Sequence, residues 1–482
     1  MYDHEPPDRL KPDDVARLAD CPASRGPGSS LPKAALDRWK AVRYALESIL
    51  IAGHDMDQAI RDNTGWLDAI QTDLVRELVT NGVAVLGAED AEVVFDPDDN
   101  VSMVPHPRMH AYLDSYFQLE VSDPTNPENR ERLKIRTGGR PTSKAEAAVL
   151  LEGGDADASY ADLMLAAGTV EPIEMAAEAR SAQIAILEEL AEIHSTNRDR
   201  TPGLHCYMCS RIARCGQFPA PKGYRVGANE RTIRLSKTDL LGLGVCDRRS
   251  AWKALHGIPK EENDDGNEAS AIGLLFHDFV ATATMSENPD AAFAQCLEQV
   301  SPEDAARLAS LYGRHKTVEE GHVPVRVGRV EYEIGVTVPL RGAAATANGQ
   351  VVSDRAVSVV VIARADAVGR ESDNTPAVIE HRTGKTSDRI DERETALYAV
   401  SAARLLNVDT IAVHQHALGA KGEPKCERIV YGAEQLAEAE DLLVRTVETV
   451  AGWHPLDASE PSFSVGDWCA VCPFESRCQR HR

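Results

Sequence analysis

The sequence predicts an α/β protein built as two tandem modules, each closed by a set of four cysteines. Three observations carry this. The pattern C-x2-C-x5-C occurs twice, as Cys206, Cys209, Cys215 and as Cys469, Cys472, Cys478. A thirteen-residue stretch that ends in a cysteine also occurs twice, RLKPDDVARLADC at 9–21 and RLSKTDLLGLGVC at 234–246. Between these markers, long amphipathic stretches alternate with Val/Ile-rich runs that read as strands. Self-similarity at a fixed order of segments signals a duplicated unit.

Each marker has a local reading. In the first, Arg9/Arg234, Leu10/Leu235, Asp14/Asp239, Leu18/Leu243 and Cys21/Cys246 agree, and each copy reads as a short helix leading to a cysteine. The helical stretches PIEMAAEARSAQIAILEELAEIH and AEQLAEAEDLLVRTVETVAGWH each precede a cysteine triplet. LKIRTGG in the first half parallels VIEHRTGK in the second. The modules then span 1–216 and 234–482. A Pro- and Gly-broken linker, QFPAPKGYRVGANERTI, is expected at 217–233.

The bulk properties bound the function. The chain has 482 residues, 43% hydrophobic and 27% charged, as in an ordinary globular protein. No stretch has the apolar length of a membrane span, and the amino terminus is acidic and polar, so a cytoplasmic location is expected. The net charge of −24 excludes indiscriminate adhesion to nucleic acid, and a nucleic-acid partner would need a local basic groove. Arg248, Arg249, Lys253, Lys237, Arg477 and Arg480 cluster near the cysteines and supply candidates.

Grouped cysteines in a cytoplasmic chain are more often metal ligands than disulfides. Cys21 with Cys206, Cys209 and Cys215 makes four thiolates; Cys246 with Cys469, Cys472 and Cys478 makes another four. Four thiolates suit a [4Fe–4S] cluster or a tetrahedral zinc. One remote cysteine plus C-x2-C-x5-C departs from paired zinc knuckles, so two [4Fe–4S] clusters are expected, with zinc the alternative. Cys296 and Cys426 read as free thiols.

The second half resembles the PD-(D/E)XK nuclease superfamily, in its RecB/AddB-type iron–sulfur branch, over about residues 234–482. The resemblance rests on an ordered set: LSKTDLLGLGVCDRRSAWKALHGIP, then AIGLLFHDFV with His277, VSVVVIARADAV with Asp366, AVIEHRTGK with Glu380 and Arg382, ERETALYAV with Glu394 and Tyr398, and the closing cysteines. It implies modules built as small mixed sheets flanked by helices. It also implies a metal-dependent DNA nuclease acting on ends or single strands, in repair, recombination or phage defence. Asp366, Glu380 and His277 would hold Mg²⁺ or Mn²⁺, Arg382 would stabilise the transition state, and Tyr398 would position DNA. DNA and a separate helicase or defence-complex subunit are the implied partners.

The residues support this in part. Residues two apart on a strand share a face, so Glu380 and Arg382 point one way and His381 the other. Two carboxylates and an imidazole suit a hard divalent ion that activates water. Two positions depart from the family pattern: Arg382 stands where the family has lysine, and Glu394 where it has glutamine. Arginine does not act as a base. A catalytically inactive iron–sulfur DNA-binding or scaffold subunit is therefore the alternative. In the first half His54, His110, Lys134 and Arg136 take the places of His277, Asp366, Glu380 and Arg382, which predicts a module without hydrolytic activity.

Overall fold

The structure, a computed structural model, describes residues 8–21, 33–87, 92–95, 100–105, 107–108, 111–123, 125–196, 206, 209, 212–222, 231–260, 267–340, 345–347, 350–352, 357–384, 390–419, 423–453, 458, 461–466, 468–469 and 472–480. It is a mixed α/β fold of sheets flanked by helices.

The first half runs β1 (Asp8–Leu10), α1 (Pro12–Asp20), α2 (Lys33–Leu50), α3 (Met56–Thr64), α4 (Ala69–Leu86), β2 (Glu92–Phe95), β3 (Val101–Pro105), β4 (Ala111–Tyr116), β5 (Leu119–Asp123), β6 (Asn126–Arg136), α5 (Lys144–Gly153), β7 (Ala158–Met164), β8 (Thr169–Pro172) and α6 (Ala177–Thr196). The second half runs β9 (Arg231–Ser236), α7 (Lys237–Gly242), α8 (Asp247–Ala254), α9 (Asn267–Thr284), α10 (Pro289–Leu297), α11 (Pro302–Glu320), β10 (Val325–Leu340), β11 (Ala345–Ala347), β12 (Gln350–Val352), β13 (Val357–Glu371), β14 (Pro376–Arg382), α12 (Glu392–Leu406), β15 (Ile411–Ala417), β16 (Lys425–Tyr431), α13 (Ala433–Val447) and α14 (Glu475–Arg480).

The principal sheets of the two halves share one pattern. In the order β2-β5-β6-β7-β8, neighbours pair antiparallel, antiparallel, parallel, antiparallel. In the order β10-β13-β14-β15-β16 the directions are the same. The parallel step needs a crossover, and a helix supplies it each time, α5 in the first half and α12 in the second. In addition β1 lies parallel to β4 as β9 lies parallel to β13.

Local chemistry explains the elements that frame the site. β13 is rich in β-branched residues, and alternate positions from Val357 to Ala365 enter the main core with Leu397, Tyr398 and Val400 of α12. β15, central and parallel, is buried along its whole length. α12 starts at Asp391, whose carboxylate accepts the Arg393 N–H, and stops at Asn407 in a left-handed conformation (φ 54°). α7 opens with a capping box formed by Ser236 and Asp239.

The two halves interlock reciprocally. Trp252, Ile258, Ala458 and Phe474 of the second half are buried in the core built on α2 and α4 of the first. In return Cys206, Ile212, Ala213 and Phe218 are buried against Val360 and Ile362 of β13. Part of the stretch expected as a linker is thus packed. Thr337 donates to Pro219 O (3.1 Å) and Phe218 O (2.6 Å), and residues 231–233 already belong to β9. Gly335 makes this approach possible, because a Cβ there would lie 2.8 Å from the Phe218 ring and 2.3 Å from Val361 O.

Arg38 of α2 is buried at the junction. It donates to Gln71 Oε1 (2.6 Å) and across the halves to His256 O (3.3 Å) and Gly257 O (2.7 Å). Arg38→Ala leaves these acceptors buried and unpaired. It is expected to lower the unfolding free energy by about 2–4 kcal/mol, read from urea denaturation of the full chain.

Candidate active site

β13 and β14 pair antiparallel with Ala367 opposite Ile379, so continuing the register sets Asp366 opposite Glu380. Both side chains are buried. Asp366 Oδ1 lies 2.7 Å from His277 Nδ1 on α9, and its Oδ2 accepts the backbone N–H of His381. Burial opposes charge on His277, but the hydrogen bond and charge of Asp366 outweigh it, and its pKa is raised.

The Glu380 carboxylate is met by groups of α12 and α7. Tyr398 donates its hydroxyl to Glu380 Oε2 (2.5 Å), and Lys237 is paired with Oε1. Lys237 Nζ also donates to the Tyr398 hydroxyl (2.9 Å) and pairs with Glu394 Oε1 (3.0 Å). Burial raises the Glu380 carboxyl, to about 7; Lys237 draws it down while the charges of Asp366 and Glu394 push it up. Burial works against the charge of Lys237, yet Glu380 and Glu394 raise its pKa well above the ordinary lysine value. Arg382 Nη2 stands 3.8 Å from Glu394 Oε2.

Several expectations change here. Tyr398 was expected to position DNA, but its ring is fully buried, so it orients Glu380 instead. Glu394, which stands where the family has glutamine, is buried and shared by Lys237 and Arg382. Lys237, read from sequence as one of several basic residues near the cysteines, is drawn into the site. Its partners lie more than 140 residues away in the chain, and no local pattern marks it.

A metal would find the donors within reach. One ligand atom each from His277, Asp366 and His381 lies within 4.8 Å of the others. A carboxylate with an imidazole, and Glu380 on the neighbouring strand, form an oxygen-rich set that fits a divalent ion. His381 points to the back of β14, where His315 and His416 surround it. Burial lowers all three imidazoles, His315 to about 4, His416 to about 3 and His381 well below the usual histidine value.

The first half holds different chemistry at the matching places. Leu119 pairs with Leu133, so continuing the register sets Gln118 opposite Lys134. Gln118 Oε1 accepts the Ile135 N–H at 2.8 Å, as Asp366 accepts that of His381. Gln118 thus stands opposite Lys134; His110, expected in the place of Asp366, lies outside the described residues. His54 is exposed on a turn, where it bonds Ser48 Oγ (2.7 Å). Lys134 is buried and paired with Glu146 Oε1 (2.6 Å), and Arg136 bonds Asp162 (2.9 Å) and Glu146 (2.9 Å). Burial raises the Glu146 carboxyl, but Lys134 and Arg136 overcome that and bring it to about 2.

The cysteines fall into local knuckles. In the second half the Cys472 N–H bonds Cys469 O (3.0 Å) and the Cys478 N–H bonds Phe474 O (2.8 Å). Ser464, which precedes this knuckle, bonds Val245 O beside Cys246, and Arg248 N–H donates to Ser462 O (2.9 Å). Burial raises the Cys472 thiol, and the charges of Cys246 and Cys478 act on it in the same direction. In the first half the Cys209 N–H bonds Cys206 O (3.1 Å) and the Cys215 N–H bonds Ile212 O (3.2 Å). Cys21 is buried just after α1.

Residues 234–479, half of the chain, match the PD-(D/E)XK nuclease superfamily, and the protein belongs to that superfamily. The matched region holds β9 to α14, hence Asp366, Glu380, His277, Lys237 and the second cysteine set. The chain is also similar to the solved structure described as "Crystal structure of SSO0001", at 16% identity and a TM-score of 0.23, over 52% of this chain and 87% of that one. No curated protein matches it.

Two outcomes follow from the electrostatics. Lys237→Met strands Glu380 and Glu394 without their shared cation and is expected to cost about 3–5 kcal/mol in urea unfolding, with Glu380→Gln added in the same chain restoring part of the loss. His277 has a raised folded pKa, so its stabilisation of the metal-free protein is full below the unfolded value of about 6.5 and is lost as pH rises through the folded value. His277→Ala is therefore expected to destabilise the metal-free chain more at about pH 6 than at about pH 9, measured by denaturant midpoints.

Proposed function

We propose that the protein is a metal-dependent deoxyribonuclease with one catalytic centre, in residues 234–479, and that the first half is a degenerate copy of the same module. The observation that carries this is the placing of Asp366 opposite Glu380 on paired strands, with His277 on Asp366, inside the segment that belongs to the nuclease superfamily. Members of the superfamily use divalent metals such as Mg²⁺ or Mn²⁺. Asp366, His277 and Glu380 would hold the ion. Bound there, it supplies Lewis-acid polarisation of a phosphodiester and a water acidic enough to attack at neutral pH.

The protein's own groups do the rest. With an ion bound, His277 would ligate as the neutral imidazole, one ring proton having been released. Tyr398 fixes the Glu380 carboxylate. Arg382 supplies fixed positive charge for the phosphoryl oxygens, and Lys237 adds an amine that remains charged because of its raised pKa. In the first half, Lys134 and Gln118 replace the two acids, so a divalent cation would meet an amine and an amide. The shared strand directions and crossover helices support the reading of two copies.

The eight cysteines are assigned to two [4Fe–4S] clusters of the RecB/AddB type, Cys21, Cys206, Cys209, Cys215 and Cys246, Cys469, Cys472, Cys478. Zinc is the alternative. DNA ends or single strands are the proposed substrate, with a helicase or defence-complex subunit as partner, in a reducing cytoplasm. No helix among the described residues is long and apolar enough to cross a membrane. Arg382 in place of lysine favours the second reading, an inactive iron–sulfur DNA-binding or scaffold subunit.

Asp366→Asn and Glu380→Gln are each expected to lower Mn²⁺- or Mg²⁺-dependent degradation of labelled single-stranded DNA by at least about 100-fold while leaving gel-shift affinity intact. Wild-type protein that shifts DNA and degrades none with either metal would replace the first reading by the second. Anaerobically purified protein should carry about eight irons per chain, and Cys246→Ser about half as many, by iron and sulfide analysis.

A further inference from the structure

The back of β14 holds a constellation that the nuclease reading does not use. His381 of β14 and His416 of β15 are register partners on adjacent parallel strands, and His315 reaches them from α11. All three are buried. Their ring centroids are 4.7 Å (His315–His381), 5.2 Å (His381–His416) and 6.0 Å (His315–His416) apart. One nitrogen from each lies within 4.8 Å of the other two.

The rings converge without satisfying one another. Among the described residues His381 has no hydrogen-bond partner at either nitrogen, and Nδ1 of both His315 and His416 has none. Buried polar atoms are ordinarily paired, and leaving one unpaired costs about 1–3 kcal/mol. Four such atoms in one pocket call for partners, and one nitrogen of each ring is close enough to the other two to share one. A water would pair two or three of them, but convergent imidazole lone pairs are also the donor set of a transition-metal ion. A cation accepts from none of them and takes a lone pair from each.

We infer that His315, His381 and His416 form a binding site for a borderline divalent transition metal of the zinc class, separate from the nuclease ion. Three imidazoles favour Zn²⁺, Co²⁺, Ni²⁺ or Cu²⁺ over Mg²⁺, which takes oxygen ligands. Tetrahedral Zn–N bonds set the nitrogens about 3.3 Å apart, so ring movements of about 1.5 Å or less close the site. His315 already has the outer partner that ligating histidines take, with Nε2 3.4 Å from Glu319 Oε1. His414 and Cys426 form an overlapping group with His416, and His414 Nε2 is itself held by Glu371 (2.7 Å). The ion would tie α11 to the sheet directly behind the strand that carries Glu380. His381 Nδ1 is also 3.6 Å from Asp366 Oδ2, so the same ring lies between the two sites.

The test uses the full chain, purified anaerobically with its cysteine sites as isolated, in excess Mg²⁺. It is stripped with a mild chelator, titrated with Zn²⁺ and read by metal content and zinc-edge X-ray absorption. One zinc per chain with imidazole-nitrogen scattering is expected. His315→Phe and His416→Gln should each lose that zinc, at least about tenfold in affinity, while His277→Ala keeps it. Zinc seen only on sulfur would overturn the proposal, as would no retained zinc. So would zinc lost in His277→Ala but kept in His315→Phe, which would assign the ion to the nuclease site. If a variant does not fold, the wild-type absorption spectrum alone decides between nitrogen and sulfur ligation.

Discussion

One geometric constraint organises the second half: β14 runs parallel to β15 and antiparallel to β13. The parallel step forces a crossover, and α12 makes it over the face that Glu380 presents. Tyr398 and Glu394 therefore arrive above Glu380 as a consequence of chain direction. The antiparallel step sets Asp366 across from Glu380. The period of two then sends His381 to the opposite side, toward α9 and α11. A single seven-residue strand thus divides its side chains between two chemical environments, an acid–amine pocket in front and an imidazole pocket behind.

The front pocket is an exercise in balancing buried charge. Two carboxylates, Glu380 and Glu394, are buried within reach of Lys237 and Arg382. Removing charges of this kind from water costs several kcal/mol each unless they are paired and hydrogen-bonded. The first half meets the same requirement with the roles exchanged. There the strand position of Glu380 carries Lys134, and Glu146, at the place of Glu394, neutralises it together with Arg136. Both pockets are close to electrically satisfied, but only the second presents carboxylates on both paired strands.

The halves depend on each other through their cysteine segments. The knuckle of the first half rests on β13 of the second, and Cys472 and Cys478 of the second pack at the edge of the first half's helical core. Trp252 lies edge-on to Phe474 at that junction and donates to Ala458 O (2.6 Å). A metal or cluster at either knuckle would stiffen the joint between halves as well as close its own module.

Much of this was legible in the chain itself. The repeated cysteine spacing, the helices before each triplet and the Val/Ile-rich run ending in Asp366 are local patterns, and local patterns reflect propensity and periodicity. Glu380 and Arg382 sharing one face follows from strand geometry alone. The recruitment of Lys237, the placing of Gln118 opposite Lys134 and the gathering of His315, His381 and His416 were not legible. Each depends on strand register or helix placement across tens to hundreds of residues, which no short window encodes. The sequence by itself determined which elements form and which acids line a strand. The tertiary structure decided which charges meet, because pairing of distant strands, not spacing along the chain, sets those distances.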